Sequence, residues 1–209
     1  MLQNRLAVIM AERGIKAINI SKKTGIAAST LSKISNNQTT KIDYETIDAI
    51  CIAVGITPQE FFEYYPFKFK FQVAKTDFNL SYQTNEFYDS VKLDSLTFKF
   101  DMVIEITGEK ENDIDTSCLL EQNKFNGEYE VVVDVDREEE KNILKKILTD
   151  MPFSFRREFN RLAFDSIDKE FKNSYEEWKV NANMNIDAIE YELDSIINNL
   201  DYFMTVPMI

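Results

Sequence analysis

The spacing of apolar residues changes abruptly at residues 64–66, Tyr-Tyr-Pro, and this change constrains the fold of the 209-residue chain more than any other feature. Before it, apolar residues recur at helical spacing. After it, residues 67–73 alternate between apolar and polar, which is typical of a half-buried strand. Because the residue before a proline is disfavoured in a helix, a helical region is expected to end here. The sequence therefore predicts two domains, at residues 1–65 and 67–209.

Three glycines divide the first domain into short helices. Gly14, Gly25 and Gly55 each follow an apolar segment at helical spacing, where a helix C-cap requires a positive φ angle. Asp43 is expected to cap the fourth helix, and the series Thr57-Pro58-Gln59-Glu60 predicts a capping box for the fifth. The expected helices are a first carrying Leu2, Leu6, Ile9 and Met10, a second at about 17–24, a third at about 28–36, a fourth burying Ile47, Ile50, Cys51 and Val54, and a fifth burying Phe61 and Phe62.

Three segments of this domain carry a family resemblance: ERGI at 12–15, KKTGIAASTLSKI at 22–34 and DAICIAVGITPQEFF at 48–62. They resemble the Cro and lambda-repressor family, often called XRE-type, over about the first 64 residues. The resemblance implies a five-helix helix-turn-helix domain whose third helix lies in the major groove of duplex DNA. One departure is Ala27, which occupies a position where the family usually has a capping Ser or Thr.

The resemblance also implies which residues contact DNA. Base edges would be read from the first turns of the third helix by Ala28, Ser29, Ser32 and Lys33. Phosphates would be contacted by Lys22, Lys23, Asn36, Asn37, Gln38 and the backbone amide of Ala17 at the start of the second helix. Because the reading helix lacks Gln and Arg, sequence preference is expected to rest partly on DNA shape.

Charge is distributed unevenly along the chain. The net charge is −12, yet residues 1–41 hold seven Lys or Arg against Glu12 alone, a balance of +6. Residues 101–140 hold fourteen Asp or Glu against three basic residues, a balance of −11. The basic segment suits phosphate contacts and predicts that double-stranded DNA binds through residues 1–41. The acidic segment cannot face the same polyanion.

The second domain is predicted to be α+β, with an antiparallel sheet of about five strands at about 67–136, closed by helices at about 137–203. Asn126-Gly127 is a strong hairpin signal, and Asp136 is expected to cap the first of these helices. The apolar stripes of the helices either cover the sheet or form the seam of a dimer. Aromatic residues at strand spacing form a core or, alternatively, line a ligand pocket.

Several classes of function are disfavoured by composition. The chain contains no histidine, so histidine-dependent catalytic triads are excluded and we expect no enzyme and no metal or other cofactor. Cys51 and Cys118 form no metal-ligand or disulfide pattern. No membrane span or secretory signal is visible, which predicts a soluble cytoplasmic protein.

Two functions compete at this point. The first is a transcriptional regulator, a phage or mobile-element repressor that binds a palindromic operator as a homodimer. The second is an autoregulated inhibitor or antitoxin, resembling the layout of some anti-CRISPR proteins, whose acidic second domain blocks a basic protein partner. The acidic segment could also be only a solvated face or a cation site. An acidic patch that is contiguous on one flat face would favour a protein partner, whereas scattered charges would favour solubility.

Overall fold

The computed structural model describes residues 1–84, 91–108, 112–122, 129–182, 187–198 and 202–205. The chain divides into two compact units, Met1–Pro66 and Phe67–Ile209. The first unit is helical with a short strand pair, and the second combines a sheet with helices. The predicted α+β class is therefore confirmed.

The first unit is built from short helices around one apolar core. Its elements are β1 (Leu2–Asn4), α1 (Leu6–Glu12), α2 (Ala17–Thr24), α3 (Ala28–Ser35), α4 (Tyr44–Val54), α5 (Pro58–Phe61) and β2 (Phe62–Tyr64). The core residues are Leu6, Ile9, Ile20, Leu31, Ile34, Ile50, Cys51, Val54 and Phe61. The helices contribute buried apolar residues at helical spacing. The prediction that the fifth helix buries Phe62 is wrong, because Phe62 lies in β2 and is half-buried.

Two predicted helix caps are confirmed. The Asp43 side chain accepts a hydrogen bond from the Thr46 backbone N–H at 2.7 Å. Thr57 and Glu60 form a reciprocal capping box, in which the Glu60 carboxylate accepts from the Thr57 backbone N–H at 2.7 Å. These hydrogen bonds hold the pKa of both carboxyl groups below their ordinary values. The negative charge therefore remains at the two helix N-termini, where the helix dipole favours it.

The strand pair β1–β2 was not predicted from the sequence. Leu2 lies opposite Tyr64 in an antiparallel register, and Asn4 lies opposite Phe62. The expectation that Leu2 belongs to the first helix is wrong, because α1 begins only at Leu6. Leu2 is also exposed rather than buried.

The second unit contains a five-stranded sheet in the order β3-β4-β5-β6-β7. Its elements are β3 (Lys68–Thr84), β4 (Val91–Thr107), β5 (Asn112–Gln122), β6 (Tyr129–Val135), α6 (Glu138–Asp150), α7 (Phe153–Asn181), α8 (Asp187–Asn198) and β7 (Tyr202–Thr205). The pairs β3–β4, β4–β5 and β5–β6 are antiparallel, but β7 pairs with β6 in parallel. The prediction of an all-antiparallel sheet followed only by helices is therefore wrong at the C-terminal end.

One face of the sheet is apolar and packs against α7. Phe69 and Phe71 make edge-to-face contacts with Phe159, and Phe78 and Phe98 contact Phe171 in the same way. These aromatic side chains therefore belong to a packed core, which supports the core alternative over the ligand pocket. The stripe on α7 covers the sheet, as one of the two sequence alternatives requires.

The prediction that Asp136 caps α6 is wrong. The N-cap residue of α6 is Arg137, and no side chain caps this helix. The Asp136 carboxylate instead accepts a hydrogen bond from the Ser117 hydroxyl at 3.0 Å. The predicted hairpin turn at Asn126-Gly127 lies outside the described residues.

The opposite face of the sheet is open to solvent. It carries most of the described acidic side chains of the acidic segment at residues 101–140. We call it the exposed sheet face and define it by thirteen of the residues of β3–β6 that lie on the side away from α7. These residues are Lys70, Gln72, Lys99, Asp101, Val103, Glu105, Asp113, Asp115, Ser117, Leu119, Glu130, Val132 and Asp134. Six of them are acidic and two are basic. The acidic residues at 109, 111 and 128 lie outside the described residues.

Candidate nucleic-acid interface

The turn between α2 and α3 is shaped by residues that close α2. Gly25 adopts a φ of 75° and donates its backbone N–H to the Ser21 carbonyl oxygen at 2.8 Å. The Thr24 hydroxyl donates to the Ile20 carbonyl oxygen and accepts from the Ile26 backbone N–H at 3.2 Å. Because the positive φ is readily accessible only to glycine, Gly25 permits the sharp turn between the two helices.

Burial of one side of α3 determines which of its residues face outward. Leu31 and Ile34 are buried in the core of the unit, at 0% and 2% exposure. With about 100° of rotation per residue, the positions opposite these two are 29, 32 and 33. All four predicted base-reading residues are exposed, namely Ala28, Ser29, Ser32 and Lys33. The structure therefore brings them together along the outer side of α3.

The predicted phosphate contacts differ in how they are held. Lys22 on α2 and Asn36 and Gln38 after α3 are exposed. Lys23 is also exposed, but its Nζ donates to the Ala53 carbonyl oxygen at 3.1 Å. The Lys23 ammonium keeps further N–H donors for a phosphate, but this bond ties it to the end of α4.

Ala17 is the first residue of α2, as the sequence predicts. The N-cap residue, Lys16, makes no side-chain cap. At the start of α3, Ala27 likewise makes no side-chain cap. Backbone amides at uncapped helix N-termini suit a phosphate, because they offer hydrogen-bond donors together with the positive end of the helix dipole.

Asn37 is the predicted site residue whose side chain is most fully occupied within the protein. Its Oδ1 accepts from the backbone N–H and the side-chain amide of Asn4, at 2.9 and 2.7 Å. Its own Nδ2 donates to the Asn4 carbonyl oxygen at 3.1 Å. Asn4 was not predicted as a site residue. The available signal was an asparagine just ahead of the first buried residue of a helix, a typical N-terminal position.

Residues 5–66 match the family model of the Cro/C1-type HTH DNA-binding domain. The first unit is a Cro/C1-type helix-turn-helix domain. No curated protein and no solved structure gave a significant match to the chain. The Cro/C1-type domain supports a DNA-binding regulator and confirms the resemblance that the sequence segments indicated.

Two kinds of feature are missing from the described residues. No cluster of three or more Cys, Asp or Glu side chains there has an arrangement that could hold a metal ion. Within the same ranges, no helix has both the length and the apolar character needed to cross a membrane.

Proposed function

We propose that the protein is a sequence-specific transcriptional regulator, a phage or mobile-element repressor that binds a palindromic operator as a homodimer. The observation that carries this proposal is the exposed row of Ala28, Ser29, Ser32 and Lys33 on α3 of a Cro/C1-type domain. In such a domain the reading helix enters the major groove, and two copies read half-sites about 34 Å apart. The second unit would then dimerise or sense a signal in the cytoplasm.

The chemistry of the reading helix sets the expected mode of recognition. Ser29 and Ser32 can donate or accept hydrogen bonds at base edges, and Lys33 can reach the acceptors of guanine. Ala28 can contact the methyl group of thymine. The reading helix lacks Arg and Gln, the stronger bidentate readers of base edges. Part of the sequence preference is therefore expected to come from the shape and deformability of the operator.

Phosphate contacts would supply much of the affinity. Lys22 and the amides at the start of α2 belong to the helix before the reading helix, and Asn36 and Gln38 follow the reading helix in the chain. Each phosphate that a lysine neutralises releases counterions, so affinity should fall steeply with salt. The proposal thus predicts binding that is both sequence-dependent and salt-dependent.

Footprinting the purified protein on its own upstream DNA tests the proposal. We expect protection of an inverted repeat, and we expect Ser29→Ala/Lys33→Ala to abolish it. Lys145→Ala is a matched control for the lysine change, because it removes the same charge from an exposed position on α6. Absence of specific protection at low salt, where phosphate contacts are strongest, would contradict an operator at that site.

A second candidate function, an inhibitor or antitoxin acting on a basic protein, has one supporting observation. The register of β4, β5 and β6 aligns Asp101, Ser117 and Asp134 in one row across the exposed sheet face, with Glu105 opposite Asp113 nearby. Six described carboxylates thus share one face of the sheet, where Lys70 pairs with Glu105 and Arg137 pairs with Asp115. An excess of charge of one sign on one face suits a partner of opposite charge.

Neutralising this face tests the second candidate. Asp101→Asn/Asp113→Asn/Asp134→Asn should release a partner that the full chain captures from its host and inhibits. A control triple variant, Glu139→Gln/Asp150→Asn/Glu192→Gln, removes the same charge from exposed helix positions. Equal loss of inhibition in both variants would show that total charge, and not this face, is responsible.

A further inference from the structure

Asn4 is a buried polar residue at which three elements of the first unit meet. It lies at the end of β1 and is 8% exposed. Its Oδ1 accepts from the Leu6 backbone N–H at 3.0 Å, at the start of α1. Its Nδ2 donates to the Ile34 carbonyl oxygen and to Asn37 Oδ1, each at 2.7 Å. One amide group therefore joins β1, the start of α1 and the end of the reading helix.

The backbone at the end of α3 gives Asn37 its conformation. Asn37 has a φ of 54°, and its backbone N–H donates to the Ile34 carbonyl oxygen at 2.9 Å. The Gln38 backbone N–H donates to the Lys33 carbonyl oxygen at 2.9 Å. This pair of bonds is the Schellman arrangement of a helix C-terminus, in which the left-handed residue is usually Gly and sometimes Asn. Asparagine at this position adds a side chain that turns back to Asn4.

We propose that the reciprocal side-chain pair Asn4–Asn37 positions the reading helix and the loop at 36–38 against DNA. In this role Asn37 acts through Asn4 and does not itself contact a phosphate, which replaces its role predicted from the sequence. The inference rests on the proposed DNA-reading function of α3. Its physical reason is that α3 spans only eight residues and has no side-chain cap at its start. The hydrogen bonds at the end of α3 therefore do much to hold this helix in its position.

Asn4→Asp is the sharpest single test. Aspartate keeps an oxygen that accepts from the Leu6 N–H, but it removes both donors to the end of α3 and sets a carboxylate against two carbonyl-type oxygens. We expect operator affinity to fall about tenfold, which corresponds to about 1.4 kcal/mol. Thr57→Ala is the control, because it weakens the same unit at α5 without touching α3. Equal loss of affinity in both variants would overturn the positioning role.

A double-mutant cycle separates positioning from direct contact. Asn37→Gly retains the positive φ without steric cost and removes the side chain, and Asn4→Ala removes its partner. If Asn37 acts through Asn4, the DNA affinity of the double variant should equal that of whichever single variant binds less tightly, and should fall no further. Losses that add would show an independent contact between Asn37 and DNA, and they would overturn the proposal.

Hydrogen exchange gives a readout that needs no DNA. In the unbound full-length chain, the Gln38 backbone N–H bonded to Lys33 should exchange faster in Asn4→Asp than in the wild type or in Thr57→Ala. Faster exchange confined to Asn4→Asp supports the positioning role even if the wild type binds no operator. Unchanged exchange would overturn it, whatever the outcome of the DNA experiment.

Discussion

The two units of this chain differ in their balance of basic and acidic residues. Met1–Pro66 holds seven Lys or Arg and six Asp or Glu, and its only acidic residue before position 42 is Glu12. Phe67–Ile209 holds 17 basic and 30 acidic residues, with six carboxylates on the exposed sheet face. The small charge difference of the first unit thus conceals a strongly basic segment at residues 1–41. The difference teaches that the overall charge of −12 describes neither unit.

The two units also differ in how their elements are held. In the first unit, short helices depend on caps and on a polar pair, as at Asp43, Thr57 and Asn4–Asn37. In the second unit, long strands and the 29-residue helix α7 depend on aromatic packing. Local hydrogen bonds should therefore matter more in the first unit, and buried apolar area more in the second. Three substitutions test this comparison.

The largest expected effect is in the aromatic core of the second unit. Phe98 is 0% exposed and contacts Phe100 and Phe171. Phe98→Ala should lower the free energy of unfolding of the second unit by about 3–5 kcal/mol. The single tryptophan, Trp178, lies in this unit and reports its unfolding by fluorescence.

The same substitution at an exposed position, Phe153→Ala, is the control, since that ring is 83% exposed. Operator binding by the first unit should survive both changes at temperatures below the transition. If Phe98→Ala loses DNA binding and the helices of the first unit are also unfolded, the two units do not fold independently.

A smaller effect is expected at the capping box. Thr57→Ala should destabilise the first unit by about 1 kcal/mol, measured by chemical denaturation at pH 7. Asp136→Ala is the comparison in the second unit and should cost less, because Asp136 caps no helix. An equal loss in Asp136→Ala but not in Ser117→Ala, which removes the same side-chain hydrogen bond, would contradict the assignment of Arg137 as the N-cap of α6.

The capping box also predicts a dependence on pH. The Thr57 backbone N–H lowers the pKa of Glu60 below its ordinary value of 4.5. The stabilisation is therefore complete above about pH 4.5 and is lost as the pH falls through the lower pKa of the folded state. Denaturation at pH 7 and pH 3 should differ less in Glu60→Gln than in the wild type, because the variant has no carboxyl group at this position to be protonated. If the free energy of unfolding changes equally between pH 7 and pH 3 in the variant and in the wild type, the Glu60 carboxylate contributes nothing to stability.

The smallest expected effect is on the exposed sheet face. Asp113 lies directly opposite Glu105, and like charges opposite each other destabilise a sheet. Asp113→Asn should raise the free energy of unfolding of the second unit by roughly 0.2–1 kcal/mol, and less at high salt. Asp150→Asn, at an exposed helix position, removes the same charge as a control. Destabilisation by Asp113→Asn would mean that this carboxylate has an attractive partner.

Much of the first unit follows from short-range patterns. The bounds of α2, the glycine turn at Gly25, the cap at Asp43 and the capping box at Thr57 depend on residues within four positions of one another. The outward direction of Ser29 follows from helix geometry once its buried neighbours are recognised. These features are local, so they can be read along the chain.

The features missed by sequence reasoning depend on distant residues. β1 is three residues long and exists because it pairs with β2, about sixty positions away. The alternation seen in the sequence at residues 67–73 does not show that β3 runs on to Thr84, with the change of alternation taken up by a register shift between Lys75 and Asp77. Asp136 was predicted to be a cap because it precedes a helix with an acidic first turn. Its carboxylate instead accepts a hydrogen bond from Ser117 on the neighbouring strand.

By itself, the sequence determined the change from helices to strands at Pro66, the Cro/C1-type character of the first unit and the outward residues of α3. These depend on local spacing, capping and backbone preference. Only the tertiary structure decided that β7 joins the sheet in parallel, that the described carboxylates of β4–β6 share one open face, and that Asn37 turns inward to Asn4. Each of these depends on a pairing between residues far apart in the chain, which no local pattern encodes.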